Sequence, residues 1–357
     1  MAAGSLKIGN IFGINVELHW SFILLLLFTL ILQLYLGFAI IVLLFVCVFV
    51  HELAHSVTSL RNGIKVKEIV LLPIGGISNI DAVKMKPDVE FNVAIAGPIT
   101  SLFIGGLFGM LSAVSPIGII TFIFQWMFIL NIFLGIFNIL PAFPMDGGRV
   151  LRGYLERKHN EFDATMLTVR ISTYIIALFL IGSFIYIITT NVSLVYKETY
   201  ALIYLFIAFW LYGGAQAEKQ TAILRKDTAG LNVSRAISKG FIIVKPNTTV
   251  KKLYSLFKET NEHIILTKIN GGYGLVDLFR RRTDSAKTAI DLAIPIIKIP
   301  SQTNVVDAVS KINDSGIALV VQNDKPIGII TPQRLQALIS LHIMNKIRET
   351  KSRQYGF

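Results

Sequence analysis

The sequence predicts a polytopic α-helical membrane domain of about six spans, followed by a soluble α/β domain. Three observations predict it. The chain has 357 residues, of which 53% are hydrophobic and only 16% charged, an apolar share above that of ordinary soluble domains. The apolar residues gather into runs of roughly 15–23 residues, near the length that crosses a hydrocarbon core. From about residue 221 the character changes. Asp, Lys, Asn and Ser recur regularly there, and short strand-like runs alternate with amphipathic helical stretches.

In chain order the expected spans are 19–36, 38–60, 91–113, 118–140, 170–190 and 200–214. The first apolar run is long and lacks a small-residue cleavage site before the next span, so a retained helix is expected rather than a signal peptide. The last is short, and its Trp210 and Tyr212 suit an interfacial anchor. Arg61, Lys65, Lys67, Lys84 and Lys86 follow the second span, and Arg149, Arg152, Arg157, Lys158 and Arg170 follow the fourth. The turns after the first and third spans carry no basic residue, and the loop after the fifth has only Lys197. Positive charge favours the inner side, which predicts a multi-pass protein of the cell membrane with a cytoplasmic N terminus, cytoplasmic basic loops and a cytoplasmic C-terminal domain. Topology thereby explains the net charge of +12, and no nucleic-acid partner is expected. Cys47 is the single cysteine, which rules out an intrachain disulfide and a cysteine-based zinc site.

In the C-terminal part, Phe241–Val244, Ile264–Thr267 and Ala318–Val321 read as strands. A weak internal repeat is present. Pro246 to Val250, a helix, a strand and Gly274-Leu275-Val276 recur as Pro300 to Val305, a helix, a strand and Gly328-Ile329-Ile330. The period is about 54 residues. The expected division is a membrane core over 1–215, a linker over 216–230, a tandem repeat domain over 231–345 and a tail over 346–357.

Inside the second span stands Val50-His51-Glu52-Leu53-Ala54-His55-Ser56. On a helix, residues four apart share a face, so His51 and His55 can grip one metal ion. Glu52 occupies the place of a metalloprotease general base. Ionisable residues within a span are costly and by default signal function. His55 is about five residues and His51 about nine from the cytoplasmic end of the span, roughly 7–14 Å deep.

A zinc site of this kind needs a third protein ligand. His19, His159, His263 and His342 lie at a span edge, in a charged loop or in the soluble domain. Asp146 is the better candidate. It lies in Asn138-Ile139-Leu140-Pro141-Ala142-Phe143-Pro144-Met145-Asp146-Gly147-Gly148-Arg149, where two prolines break the helix and two glycines permit unusual dihedrals. Irregular backbone at membrane depth is tolerated where it is buried or lines a cavity.

HExxH in an early span, with N-x-x-P-x-x-P-x-D-G-G in a later one, resembles the site-2 protease family of intramembrane zinc metalloproteases. Leu72-Pro73-Ile74-Gly75-Gly76 and Ala96-Gly97-Pro98 strengthen the resemblance. The family's asparagine after the latter is Ser101 here, a departure that leaves the metal ligands intact. The resemblance covers residues 1 to about 215. It implies one Zn2+ per chain on His51, His55 and Asp146, Glu52 as general base, and Asn138 as a substrate contact. The implied activity is endopeptidase cleavage within or near a transmembrane segment of a membrane-protein substrate in the bilayer.

The C-terminal repeat resembles a pair of CBS motifs, which implies an adenosine nucleotide as a candidate ligand and a homodimer as a candidate assembly. The resemblance is incomplete at the ribose-binding aspartates. Arg280 and Arg334 stand in their places, and arginine cannot accept ribose hydrogen bonds. Arg280, Arg281, Arg282 and Arg334 could instead attract an acidic ligand.

Because a helical substrate hides its scissile bond, the stretch Lys65–Ile80 matters. Val66, Ile69, Val70, Leu71 and Leu72 favour a strand that could pair with an extended peptide; a re-entrant loop packed on helices is the alternative. Two other function classes remain. A metal transporter would want carboxylates along a path, yet Glu52 stands almost alone within the spans, and a catalytically dead scaffold fits poorly with an intact Glu52.

Overall fold

The computed structural model describes residues 4–72, 75–80, 85–115, 118–259, 264–270, 272–278, 287–312 and 316–355. Pro73, Lys84, His263, Arg280, Arg281 and Arg282 lie outside the described residues. The chain divides into two compact units, Met1–Ile223 and Leu224–Phe357.

The first unit contains five helices long and apolar enough to cross a membrane. They are α2 (Tyr35–Arg61), α3 (Pro87–Val114), α4 (Ile119–Ile139), α6 (Glu161–Thr189) and α7 (Leu194–Asp227). The sixth apolar run differs from the expected span over 19–36. Its helix α1 (Trp20–Ile31) has 12 residues, about 18 Å of rise against a hydrocarbon core of about 30 Å. Two local features shorten it. The residues before it pair as a strand, with His19 accepting from the Ser21 N–H as a cap. After it, the chain turns through Gln33 at φ 56°. Conversely, α6 starts nine residues before the expected 170, where Asn160 accepts from the Asp163 N–H as its N-cap. Helix α7 continues through most of the segment expected to be a linker.

Four strands accompany these helices: β1 (Ser5–Ile11), β2 (Ile14–His19), β3 (Val66–Leu72) and β4 (Gly75–Ile80). They form one sheet in the order β1-β2-β3-β4. A two-residue turn at Phe12 and Gly13, with φ 53° and 81°, joins β1 and β2 as a hairpin of the I′ kind. Strand β2 then pairs in parallel with β3, Val16 beside Ile69, and β4 returns antiparallel along β3. One face of this sheet, Ile14, Val16, Ile69 and Leu71, packs against Val48 on α2. Val66, Ile69, Val70, Leu71 and Leu72, the strand-forming residues expected within Lys65–Ile80, therefore form β3, and the chain returns as β4 at the end of the sheet.

The second unit consists of two similar halves. One runs β5 (Ile242–Val244), α8 (Val250–Glu259), β6 (Ile265–Ile269) and β7 (Gly272–Val276), and β8 (Ala293–Pro295) completes its sheet. The other runs β9 (Ile297–Pro300), α9 (Val305–Ile312), β10 (Ala318–Gln322) and β11 (Lys325–Ile330). In each, the first strand pairs in parallel with the second, and the second pairs antiparallel with the third. This is the internal repeat read from the sequence. Its long closing helix is α10 (Pro332–Tyr355). Leu253, Ile265 and Leu292 pack one core, Ile299, Val305, Ile312 and Leu335 another, and Leu266, Leu319 and Ile329 join in a third.

Candidate metal centre

Helix α2 brings His51 and His55 to one face, a turn apart, and both are buried. Asp146 arrives from elsewhere in the chain. Helix α4 ends at Ile139, an irregular loop follows, and α5 (Asp146–Leu155) begins with the aspartate itself. Asp146 Oδ2 stands 3.0 Å from His51 Nε2 and 3.1 Å from His55 Nε2, and the two Nε2 atoms are 3.1 Å apart. Among the described residues, these three form the group whose ligand atoms converge as a metal site requires.

Proton accounting shows what belongs among them. His55 Nδ1 lies 2.7 Å from the Val93 carbonyl oxygen on α3. A carbonyl only accepts, so Nδ1 carries the proton and Nε2 presents a lone pair. His51 Nδ1 lies 2.9 Å from Ser101 Oγ, also on α3, a hydroxyl that can accept as well as donate. Two imidazole nitrogens and a carboxylate oxygen in mutual contact need a proton or a metal cation between them. Tetrahedral zinc, with bonds of about 2.0–2.1 Å, would space its ligands about 3.3 Å apart, close to the separations seen. The donor set of two neutral imidazoles and one carboxylate fits a catalytic zinc ion that keeps a fourth position open.

Two glycines permit this geometry. A Cβ at Gly97 of α3 would overlap His55 Nε2 and stand 2.7 Å from His51 Nε2, so only glycine lets α3 pass so close to the ligands. A Cβ at Gly76 of β4 would overlap the Glu52 side chain, so β4 runs directly against the expected general base.

The remaining expected residues are placed differently. Asn138, on the last turn of α4, donates from Nδ2 to the Leu134 carbonyl at 3.0 Å. His19 pairs with Ser21, His342 Nε2 meets the Asp227 carbonyl at 3.0 Å, and His159 is exposed. Sequence reasoning missed the orienting roles of Ser101 and Val93. Ser101 was noticed only as a departure from a pattern, although a buried serine four residues after Gly97 is a signal that could have found it. The carbonyl of Val93 leaves no side-chain signal. In the second unit, Arg334 Nη1 reaches the Ile237 carbonyl at 3.5 Å.

The chain is similar in sequence to several known proteins. The profile of Peptidase family M50 matches residues 39–117 and 104–182, and that of the CBS domain matches residues 290–340. The chain is 27% identical to the zinc metalloprotease MJ0392 of Methanocaldococcus jannaschii, over 97% of this chain and 99% of that one. It is 26% identical to Rip3 of Mycobacterium tuberculosis, over 95% of this chain and 93% of that one. The solved structure of a site-2 protease from Methanocaldococcus jannaschii is 33% identical in sequence, covering 60% of this chain and 95% of that chain with a TM-score of 0.44. With five membrane-length helices, a ligand cluster that could hold a metal and these matches, the chain carries segments similar to Peptidase family M50 and the CBS domain and is a multi-pass zinc metalloprotease of the site-2 type.

Proposed function

We propose that this chain is an intramembrane endopeptidase that cuts a peptide bond within or near a transmembrane segment of another membrane protein. The observation that carries the reading is the convergence of His51 Nε2, His55 Nε2 and Asp146 Oδ2 within 3.0–3.1 Å of one another in a membrane-length helix bundle. These three residues would hold one zinc ion. Bound there, zinc supplies Lewis-acid chemistry, making a water acidic enough to ionise near neutral pH and polarising a carbonyl.

The rest falls to the protein. Glu52 follows His51 directly on α2, so its carboxylate can accept the proton of the attacking water and return it to the leaving amine. Ser101 and the Val93 carbonyl hold the two imidazoles in the tautomer whose Nε2 binds metal. Strand β4 ends its sheet and lies beside Glu52, so its outer backbone edge can pair with an unwound substrate segment. Asn138 is assigned to substrate contact. The charge pattern supports a cytoplasmic N terminus and a cytoplasmic C-terminal domain. Residues 1–215 form the protease core in this reading. Residues 231–345 form a modulating domain that takes an adenosine nucleotide or another acidic ligand and pairs in a homodimer.

The test measures zinc content and hydrolysis together on purified protein with a fluorogenic transmembrane peptide. Glu52→Gln is expected to keep zinc and lose about 10²–10⁴-fold in rate. His51→Ala, His55→Ala and Asp146→Ala are expected to lose zinc as well. Near-normal turnover in Glu52→Gln removes its assignment as base, and full zinc in Asp146→Ala removes Asp146 from the ligand set.

A further inference from the structure

Arg152 lies on the last turn of α5, the helix that Asp146 opens. It is largely buried, with a side chain 17% exposed, yet it gathers carboxylates from two other helices. Its Nε donates to Glu90 Oε1 on α3 at 3.1 Å, and Nη2 pairs with the same carboxylate. Its Nη1 donates to Glu218 Oε2 on α7 at 3.1 Å. Glu156, one turn along α5, lies 3.9 Å from Nε. The guanidinium also covers the ring of Phe143 at 5.4 Å from its centroid. Phe143 is fully buried and sits three residues before Asp146.

These contacts bracket the metal ligand. Phe143 stands on one side of Asp146 in the chain and Arg152 on the other. Glu90 lies one helical turn before Val93, whose carbonyl orients His55, and α3 goes on to Gly97 and Ser101. A guanidinium is a rigid fork that can satisfy two carboxylates in fixed directions, which a lysine ammonium on a flexible stem cannot.

We propose that Arg152 is a positioning residue for the metal centre: by tying α5 to α3 through Glu90 and to α7 through Glu218, it sets where Asp146 Oδ2 stands relative to His51 Nε2 and His55 Nε2. The proposal rests on Asp146 being a zinc ligand. An ion pair that merely stabilised the bundle would change the melting temperature and leave metal affinity alone. A positioning residue changes the affinity and the rate.

The experiment uses the full-length protein in detergent. Zinc affinity is measured by competition with a chromophoric chelator, kcat and KM with a fluorogenic transmembrane peptide, and folding by the thermal midpoint. Arg152→Gln is expected to weaken zinc binding by about 10–100-fold, as loss of a group that orients a ligand does, and to lower kcat with little change in KM. Arg152→Lys, which keeps the charge, is expected to recover only part of both. Glu218→Gln is expected to move both in the same direction by less. Should Arg152→Gln fail to fold, the lysine and Glu218→Gln variants carry the test. Zinc affinity and kcat within twofold of the unmodified protein in both of those variants overturn the proposal. Asp146→Ala, measured alongside, separates the two readings. Retained zinc there removes the ligand assignment itself, whereas lost zinc there with unaltered Arg152→Lys and Glu218→Gln removes the clamp alone.

Discussion

The two units of this protein bury different mixtures of residue. In the second, the largest fully buried side chains are apolar: Leu253, Ile265, Leu266, Leu292, Ile299, Ile312, Leu319 and Ile330. In the first, small and polar residues share the buried helix faces with apolar ones. Helix α2 buries Cys47, Val48, His51, His55, Ser56 and Ser59, and α6 buries Ala164, Thr165, Thr168, Val169, Ser172 and Ile176. Many of its large apolar residues, such as Phe103, Met110, Leu178 and Phe209, face outward. Water drives the first pattern. Lipid tails are as apolar as leucine, so membrane helices meet instead through close packing and hydrogen bonds. Thr168, Ser172 and Ser59 satisfy their hydroxyls on the carbonyl four residues back, so small polar groups can line these contacts without a penalty. A buried histidine or aspartate here finds no such local outlet, and it marks function more sharply than it would in the second unit.

The comparison can be broken most easily at the glycine that lets α3 pass the metal ligands. Gly97→Ala sets a methyl against both Nε2 atoms and is expected to abolish zinc binding and hydrolysis, since neither ligand can retreat within a packed bundle. Gly182→Ala adds the same methyl on α6 where nothing lies within 4 Å, and it is expected to leave both unchanged. Equal zinc content in the two variants would show that the α3 approach is not tight.

The opposite probe removes apolar bulk from the second unit. Leu253 is completely buried in its core, and Leu253→Ala is expected to cost about 2–5 kcal/mol there. Hydrogen exchange of the full-length protein should show protection lost across β5–β7 and α8, with zinc content in the first unit unaltered. Loss of zinc would mean that the two units do not keep their stabilities apart.

The smallest expected effect concerns Asp291. Its carboxylate accepts from the Thr288 hydroxyl and from the backbone N–H groups of Thr288 and Lys287, which holds its pKa below the ordinary value. The folded state therefore favours the charged form. The contribution is present above the usual carboxylate pKa of about 4 and fades as pH falls through the lower folded value. Thermal midpoints of the unmodified protein and Asp291→Asn should differ slightly at neutral pH and converge in acid. A gap that widens on acidification would contradict this sign.

Legibility in the sequence followed the range of each interaction. The α2 site was readable because two residues four apart on a helix share a face whatever lies around them. The internal repeat of the second unit was readable because each half repeats the same local order of strand, helix and hairpin. The boundaries of α1 were not. Its apolar run looks like a span, and the strand that shortens it is held by pairing with Val66–Leu72, about fifty residues away.

The sequence by itself determined that the chain crosses a membrane, that His51 and His55 face one way with Glu52 beside them, and that Asp146 is their most suitable third partner. Those conclusions need only helical periodicity, hydropathy and ligand chemistry, all of which act over a few residues. Tertiary structure alone decided which histidine nitrogens face Asp146, because Val93 and Ser101 occupy the other ones from a different helix. It also decided that β4 lies against Glu52 and that Arg152 joins three helices around Asp146. Each of these depends on backbone carbonyls, close approaches and charged groups meeting across large sequence separations, and no local pattern encodes such meetings.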